Sequence, residues 1–189
     1  MPVIISMLRG VNVGGHHKIK MDALRDLYLS LKFQGPQTYL QSGNVIFRTG
    51  ERNLAQLSKL IQSAIERKVG FRPDVLLRTI PELRDAIARS PFAKRPGLEP
   101  SKLVVTFLGA EPSAHARKAL LAMDIVPEEL HVQGPELYIY FPNGQARPKL
   151  SWPRVEKILN LSFTSRNWNT VTKLLELAES LKASLPHPD

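Results

Sequence analysis

Residues 7–21, MLRGVNVGGHHKIKM, end one kind of structure and begin another. Ahead of Arg9 runs Val3, Ile4, Ile5, Met7 and Leu8, a near-continuous apolar stretch of the kind found in a central strand covered on both faces. Arg9-Gly10 stops that run, Asn12, Gly14 and Gly15 form a glycine-rich loop, and a helical pattern opens near Lys20. A strand, a loop rich in amides and cations, then a helix presents backbone N–H groups to an anion. The glycines have neither the Rossmann spacing nor the Gly-Lys-Ser/Thr ending of a P-loop. The pattern therefore marks a site without naming a reaction.

Working outward, Met21–Phe33 reads as a helix with Met21, Leu24, Leu27, Tyr28 and Leu31 on one face, closed by Gly35-Pro36. Gln37–Gln41 and Val45–Thr49 flank Ser42-Gly43-Asn44 as a hairpin. Asn53 caps a helix whose stripe is Leu54, Leu57, Leu60, Ile61, Ala64 and Ile65, Gly70 ends it, and Asp74–Thr79 is a further strand. The order is β-α-β-β-α-β, the split βαβ or ferredoxin-like unit. Ile80–Arg89 reads as a short helix, and residues 90–101, SPFAKRPGLEPS, read as a linker because they hold three prolines and a glycine.

The pattern then repeats. Lys102–Leu108 is a strand, and Ser113 caps a helix to about Met123. His131–Gln133 and Glu136–Phe141 form a hairpin, and Trp152–Asn160 is a helix. Ser162–Asn167 is extended, and a last helix covers about Thr170–Ala183. The chain is predicted to be α+β, with two ferredoxin-like halves bearing antiparallel sheets, packed together. Residues 1–89 form the first half, 90–101 the linker and 102–189 the second half with its C-terminal helix. No residue-level similarity joins the halves, so the repeat is one of architecture.

Charge points to a partner. The chain has 26 Lys+Arg against 17 Asp+Glu, a formal +9. Residues 1–95 hold 16 basic and 7 acidic residues, and residues 96–189 hold 10 of each. An excess confined to one half predicts an anionic ligand there, a nucleotide or a nucleic acid. A basic surface with no specific partner is the plainer reading. There is no cysteine, which removes disulfides, thiolate chemistry and cysteine-bound zinc and points to the cytoplasm. No apolar run approaches the roughly 18 residues of a membrane span, so no membrane partner is expected. The opening MPVIISMLRG reads as a first strand rather than a signal peptide. Histidines 16, 17, 115, 131 and 187 lack metal-ligand spacing. No metal, cofactor or catalytic residue is therefore predicted, and the balance leans away from an enzyme.

Three clusters could bind the anion. Arg9 offers a fork for phosphate, Asn12 both a donor and an acceptor, and Gly14 and Gly15 a close backbone approach. Ser42 and Asn44 would stand at the same sheet edge. Arg166, Asn167 and Asn169 surround Trp168 just before a helix, where the dipole is positive. One cleft lined by all three is the expectation. Each also has a structural reading: a wide turn that needs glycines, favoured turn formers, and a helix cap at Asn169 or Thr170. Tyr138 and Tyr140 alternate with Leu137, Ile139 and Phe141, so both would lie on the sheet face away from the helices. There they would stack on bases or, the favoured reading, cover a contact between sheets.

Leu8-Arg-Gly-Val-Asn-Val-Gly-Gly with Lys20-Met21, Thr38-Tyr39 with Gln41-Ser-Gly-Asn44 and Phe47, and Arg166-Asn-Trp-Asn-Thr170 with Lys173-Leu174 occur in this order. Together they resemble the uncharacterised bacterial family called domain of unknown function 1697, from Ile4 to about Leu177. The resemblance implies a two-part α+β fold and carries no assigned activity, substrate, cofactor or catalytic residue. Besides anion binding, two readings stay open: an enzyme acting on a phosphorylated small molecule, and motifs that serve only the fold.

Overall fold

The computed structural model describes residues 1–184. The first pass runs β1 (Val3–Leu8), α1 (Met21–Ser30), β2 (Gln34–Tyr39), β3 (Asn44–Arg48), α2 (Leu54–Val69), β4 (Val75–Thr79) and α3 (Ile80–Ala88). After a 3₁₀ turn at Pro100–Lys102 come β5 (Leu103–Leu108), α4 (Ala114–Leu121), β6 (Glu129–Gln133), β7 (Glu136–Tyr140), α5 (Trp152–Leu159), β8 (Phe163–Asn167) and α6 (Trp168–Ala183). The strands form two antiparallel sheets, β2-β3-β1-β4 and β6-β7-β5-β8, which is the ferredoxin-like order taken twice. The protein is α+β with two similar halves, as the element pattern predicts.

The repeat extends to single residues. Ile5 pairs with Arg78 on β4, and Val105 pairs with Arg166 on β8. Met7 faces Asn44, and Phe107 faces Glu136. Arg78 and Arg166 are both buried, and each donates Nη1 to the carbonyl of the residue before it, at 3.0 and 2.8 Å. Neighbouring positions differ too much in chemistry for the equivalence to be read from the letters alone.

By its contacts the chain divides into two compact units, Met1–Arg84 with the chain from Lys173 onward, and Asp85–Thr172. The division falls within α3 and within α6, after the fifth residue of each. Residues 85–101, read from sequence as a helix end and a linker, thus lie in the second unit. There Phe92 is 3% exposed and meets the His131 ring edge-on at 5.1 Å, while Arg95 pairs with Glu129 at 2.7 Å. Proline and glycine leave residues 89–99 without helix or strand, but they do not deny this segment packing. In the first unit, Arg48 on β3 donates Nη2 to the Leu181 carbonyl and, at 2.9 Å, to Ser184 Oγ. Arg84 pairs with Glu179 at 2.6 Å.

In the first unit Ile4, Leu8, Leu24, Leu27, Tyr28, Val45, Phe47, Leu57, Ile61, Ile65 and Leu77 make one core. Val104, Leu108, Leu120, Leu137, Ile139, Phe141, Val155 and Phe163 are central to the other. The alternate residues Ile5, Met7, Val105 and Phe107 are equally buried, so β1 and β5 are apolar on both faces. Tyr138 lies on the face of β7 away from its core, with its hydroxyl donating to the Ala86 carbonyl at 2.5 Å. Tyr140 stands beside Phe92, with Arg95 over its ring. Neither tyrosine offers an open stacking surface.

Local departures from the sequence reading have local causes. α1 ends at Ser30, because Lys32 turns to φ +61°. β2 runs Gln34–Tyr39 and so contains Pro36; it is an edge strand whose register shifts between Gln34 and Gln37. α6 begins at Trp168, and its cap is Asn167, whose Oδ1 accepts the Asn169 N–H at 3.0 Å. That replaces the expected cap at Asn169 or Thr170. His187, among the histidines weighed as ligands, lies outside the described residues.

Candidate functional site

After β1 the chain makes a short finger. Val13 and His16 form an isolated antiparallel bridge, with Gly14 (φ +59°) and Gly15 (φ +80°) between them. Two central residues with positive φ define a type I′ hairpin turn, which glycine enters without steric cost. The pair is thus required by the turn. Asn12 N–H donates to the His17 carbonyl at 3.1 Å and closes the finger. Residues 13–18 are all exposed.

The Asn12 side chain holds this finger down. Its Oδ1 accepts the Ile19 N–H at 2.9 Å, and its Nδ2 donates to the Ile19 carbonyl at 2.9 Å and the Gln41 carbonyl at 2.8 Å. Both amide hydrogens are committed, so Asn12 is an anchor rather than a free ligand group. Its φ of +56° is one that asparagine tolerates. His17 adds a second tether, with its ring stacked on Phe71 at 4.5 Å and Nδ1 3.3 Å from the Gly10 carbonyl. Arg9, at the root, lies 3.7 Å from Asp74 with 30% of its side chain exposed.

The Ser42–Asn44 turn meets this root. Leu8 N–H donates to the Gly43 carbonyl at 2.9 Å. A Cβ on Gly43 would stand 2.5 Å from Val11 Cγ2 and 2.9 Å from Leu8 Cβ, so only glycine lets the turn sit so close. Asn44 is fully buried, and its Nδ2 donates to the Tyr39 carbonyl at 2.9 Å and Ser42 Oγ at 3.0 Å. Arg9, Asn12, Gly14, Gly15, Ser42 and Asn44 therefore belong to one cluster of the first unit, with the asparagines as its struts.

Arg166, Asn167 and Asn169 belong to the second unit. Arg166 is 7% exposed and donates Nη1 to Thr164 Oγ1 at 2.7 Å. Burial lowers its guanidinium pKa to about 10. Asn167 donates Nδ2 to the Ser101 carbonyl at 2.7 Å while its Oδ1 caps α6. Chemically this segment is a buried arginine and a satisfied cap.

Sequence reasoning missed Lys18, Lys20 and Gln41. With Asn12, Gly15 and Ile19 they line an open depression of ≈ 410 Å³. Ile19 is 4% exposed between the two exposed lysines, and that two-residue alternation was the available signal. Among the described residues Lys18 and Lys20 have no acidic partner. Next to them α1 starts with no side-chain cap at Lys20, which leaves its first N–H groups without a side-chain acceptor there. Exposed Val13 (65%) and Leu40 (53%, φ +59°) stand next in sequence to Asn12 and Gln41. No group of three or more His, Cys, Asp or Glu side chains among the described residues could hold a metal ion. No described helix is long and apolar enough to cross a membrane.

A family model described as protein of unknown function (DUF1697) matches residues 1–138. The chain belongs to that family. The match holds the finger and the Ser42–Asn44 turn and stops short of Arg166–Thr170, although the motif resemblance reaches about Leu177. Among solved structures, the chain is similar to the conserved bacterial protein SP0830 from Streptococcus pneumoniae. The two share 18% identity, 95% of this chain and 99% of that one are covered, and the TM-score is 0.71. At that identity the likeness is one of fold. No curated protein matches the chain.

Proposed function

We propose that this DUF1697 member is a cytoplasmic protein that binds the phosphates of a nucleic acid through the finger between Arg9 and Lys20. One observation carries the reading. β1 and β5 occupy the same place in the repeat, yet residues 9–20 connect β1 to its helix whereas residues 109–113 suffice after β5. Seven residues beyond what the fold needs are spent on an exposed segment with two lysines that have no acidic partner among the described residues. A rigid, basic loop on a fixed scaffold is a common form for a binding element.

The openness of the depression favours a polymer over a small molecule, because a catalytic site for a phosphorylated metabolite gains from excluding water. Charge supports the choice less strongly than the sequence halves imply. By compact unit the first holds 15 basic and 9 acidic residues and the second 11 and 8. The competing reading, in which the motifs serve only the fold, draws on the engaged side chains of Asn12, Asn44 and Asn167.

The test is a titration into labelled nucleic acid at two salt concentrations, with free nucleotides as competitors. Binding should weaken steeply with salt, and K18A/K20A should lower the slope of log K against log salt by about 1.8 on duplex DNA. These lysines are a cleaner probe than Arg9, which lies 3.7 Å from Asp74, because they have no acidic partner among the described residues. Competition by one free nucleotide would move the reading to a small ligand. Absence of binding would leave the motifs to the fold.

A further inference from the structure

Resting on the nucleic-acid reading, we infer that the partner is duplex DNA and that the finger enters its major groove tip first. Aromatic side chains decide between strands. Single-stranded DNA and RNA are held largely by stacking bases on aromatic rings. The chain has two Trp, four Tyr and seven Phe; eight are buried, and Tyr39, Phe71, Tyr140, Trp152 and Trp168 are half-buried. Near the finger, Phe71 is already covered by His17. The second sheet's tyrosines are likewise occupied, Tyr138 by the Ala86 carbonyl and Tyr140 by Phe92 and Arg95. A protein whose finger exposes lysines and the imidazoles of His16 and His17, but no fully exposed Trp, Tyr or Phe, is suited to a partner whose bases are already stacked.

Shape then selects the groove. The finger is two-stranded, bridged at Val13 and His16 and closed by Asn12 and His17. Its tip stands two residues beyond that closure, about 7 Å at the rise of a strand. The major groove of B-DNA is about 12 Å wide and 8.5 Å deep and admits a β-ribbon. The deep, narrow major groove of A-form RNA does not. Val13, 65% exposed beside the tip, is an apolar group of the kind that meets a thymine methyl. Lys18 and Lys20 follow the finger on either side of buried Ile19, where they can meet flanking phosphates.

The test uses the full chain and fluorescence anisotropy at two salt concentrations. Four probes share one sequence: duplex DNA, duplex RNA, single-stranded DNA, and duplex DNA whose cytosines carry bulky glucosyl-hydroxymethyl groups that fill the major groove. Plain duplex DNA should bind at least about tenfold more tightly than each of the other three, a difference that a single good base-edge contact can supply. Equal or tighter binding of single-stranded DNA or duplex RNA overturns the inference. So does equal binding of the groove-filled duplex. In each of these cases salt-dependent binding would still stand, and with it the proposed function. No salt-dependent binding to any probe overturns both.

Discussion

The connections that follow β1 and β5 leave equivalent strands in equivalent ways. Leu8 N–H donates to the Gly43 carbonyl and Leu108 N–H to the Pro135 carbonyl, both at 2.9 Å. Arg9 N–H then donates to the Asp74 carbonyl and Gly109 N–H to that of Ser162, at 2.9 and 2.8 Å. From there the two diverge into residues 9–20 and 109–113. The second shows how little chain the fold requires. The first shows where extra chain is invested and how it is kept in one conformation. Loop closure grows slowly in cost with length, so an insertion is cheap, but holding one rigid takes specific bonds. Here Asn12 supplies them, and buried Val11 and Ile19 fix the two ends of the inserted stretch.

The comparison breaks most easily at Gly43. Gly43→Val places a branched side chain against Val11 and Leu8 at a φ of +75°. It should cost about 3 kcal/mol or more, from overpacking and backbone strain together. Pro135→Ala, at the equivalent point, should cost much less. Urea denaturation of both variants reads the difference, and equal losses would mean that the two connections are built alike after all.

Next in size is Asn12→Ala, which removes three hydrogen bonds and should destabilise by about 2–3 kcal/mol in the same measurement. A loss within about 0.5 kcal/mol would show that the finger is not anchored as described.

A smaller effect separates the cores. Ser6 and Thr106 are equivalent hydroxyl residues, but Ser6 bonds Tyr28 Oη at 2.8 Å whereas Thr106 bonds Ser165 Oγ at 2.7 Å. Burial raises the Tyr28 pKa well above the usual phenol value of 10. The folded state therefore keeps a proton that the unfolded chain releases above pH 10, so stability falls as pH rises past that point. The slope from this group approaches about 1.4 kcal/mol per pH unit. Tyr28→Phe should cost about 1 kcal/mol at pH 7 and remove that part of the alkaline loss. Thr106→Val should leave the alkaline slope unchanged. Denaturation at pH 8 and pH 11 tests both.

The smallest effect sharpens the comparison. Lys18→Ala and Lys20→Ala should each shift stability by no more than about 0.5 kcal/mol, because exposed unpaired side chains support nothing. A large shift in thermal unfolding would make them part of the scaffold.

What the sequence made legible follows from periodicity and caps. Strand alternation placed Leu137, Ile139 and Phe141 in a core and the tyrosines opposite, and Asn53 and Ser113 cap the helices that they were expected to cap. Burial of polar groups was not legible. An arginine before a helix reads as a phosphate ligand until tertiary packing covers it, as happens to Arg166. The glycine loop was found but half-explained, since a type I′ turn and an anion cradle ask for the same residue. The 90–101 segment is a related case. Its prolines speak of backbone conformation, whereas Phe92 is held by long-range contacts that no local pattern contains.

Arg48 carries a consequence for truncation. Its bond to the Leu181 carbonyl joins residues 133 apart in the chain. Its Nε is already buried without a partner among the described residues. Truncation shortly before Leu181 would spare every described strand of both sheets and still take the carbonyl acceptor from Arg48 on β3. It should therefore behave as a lesion of the first unit.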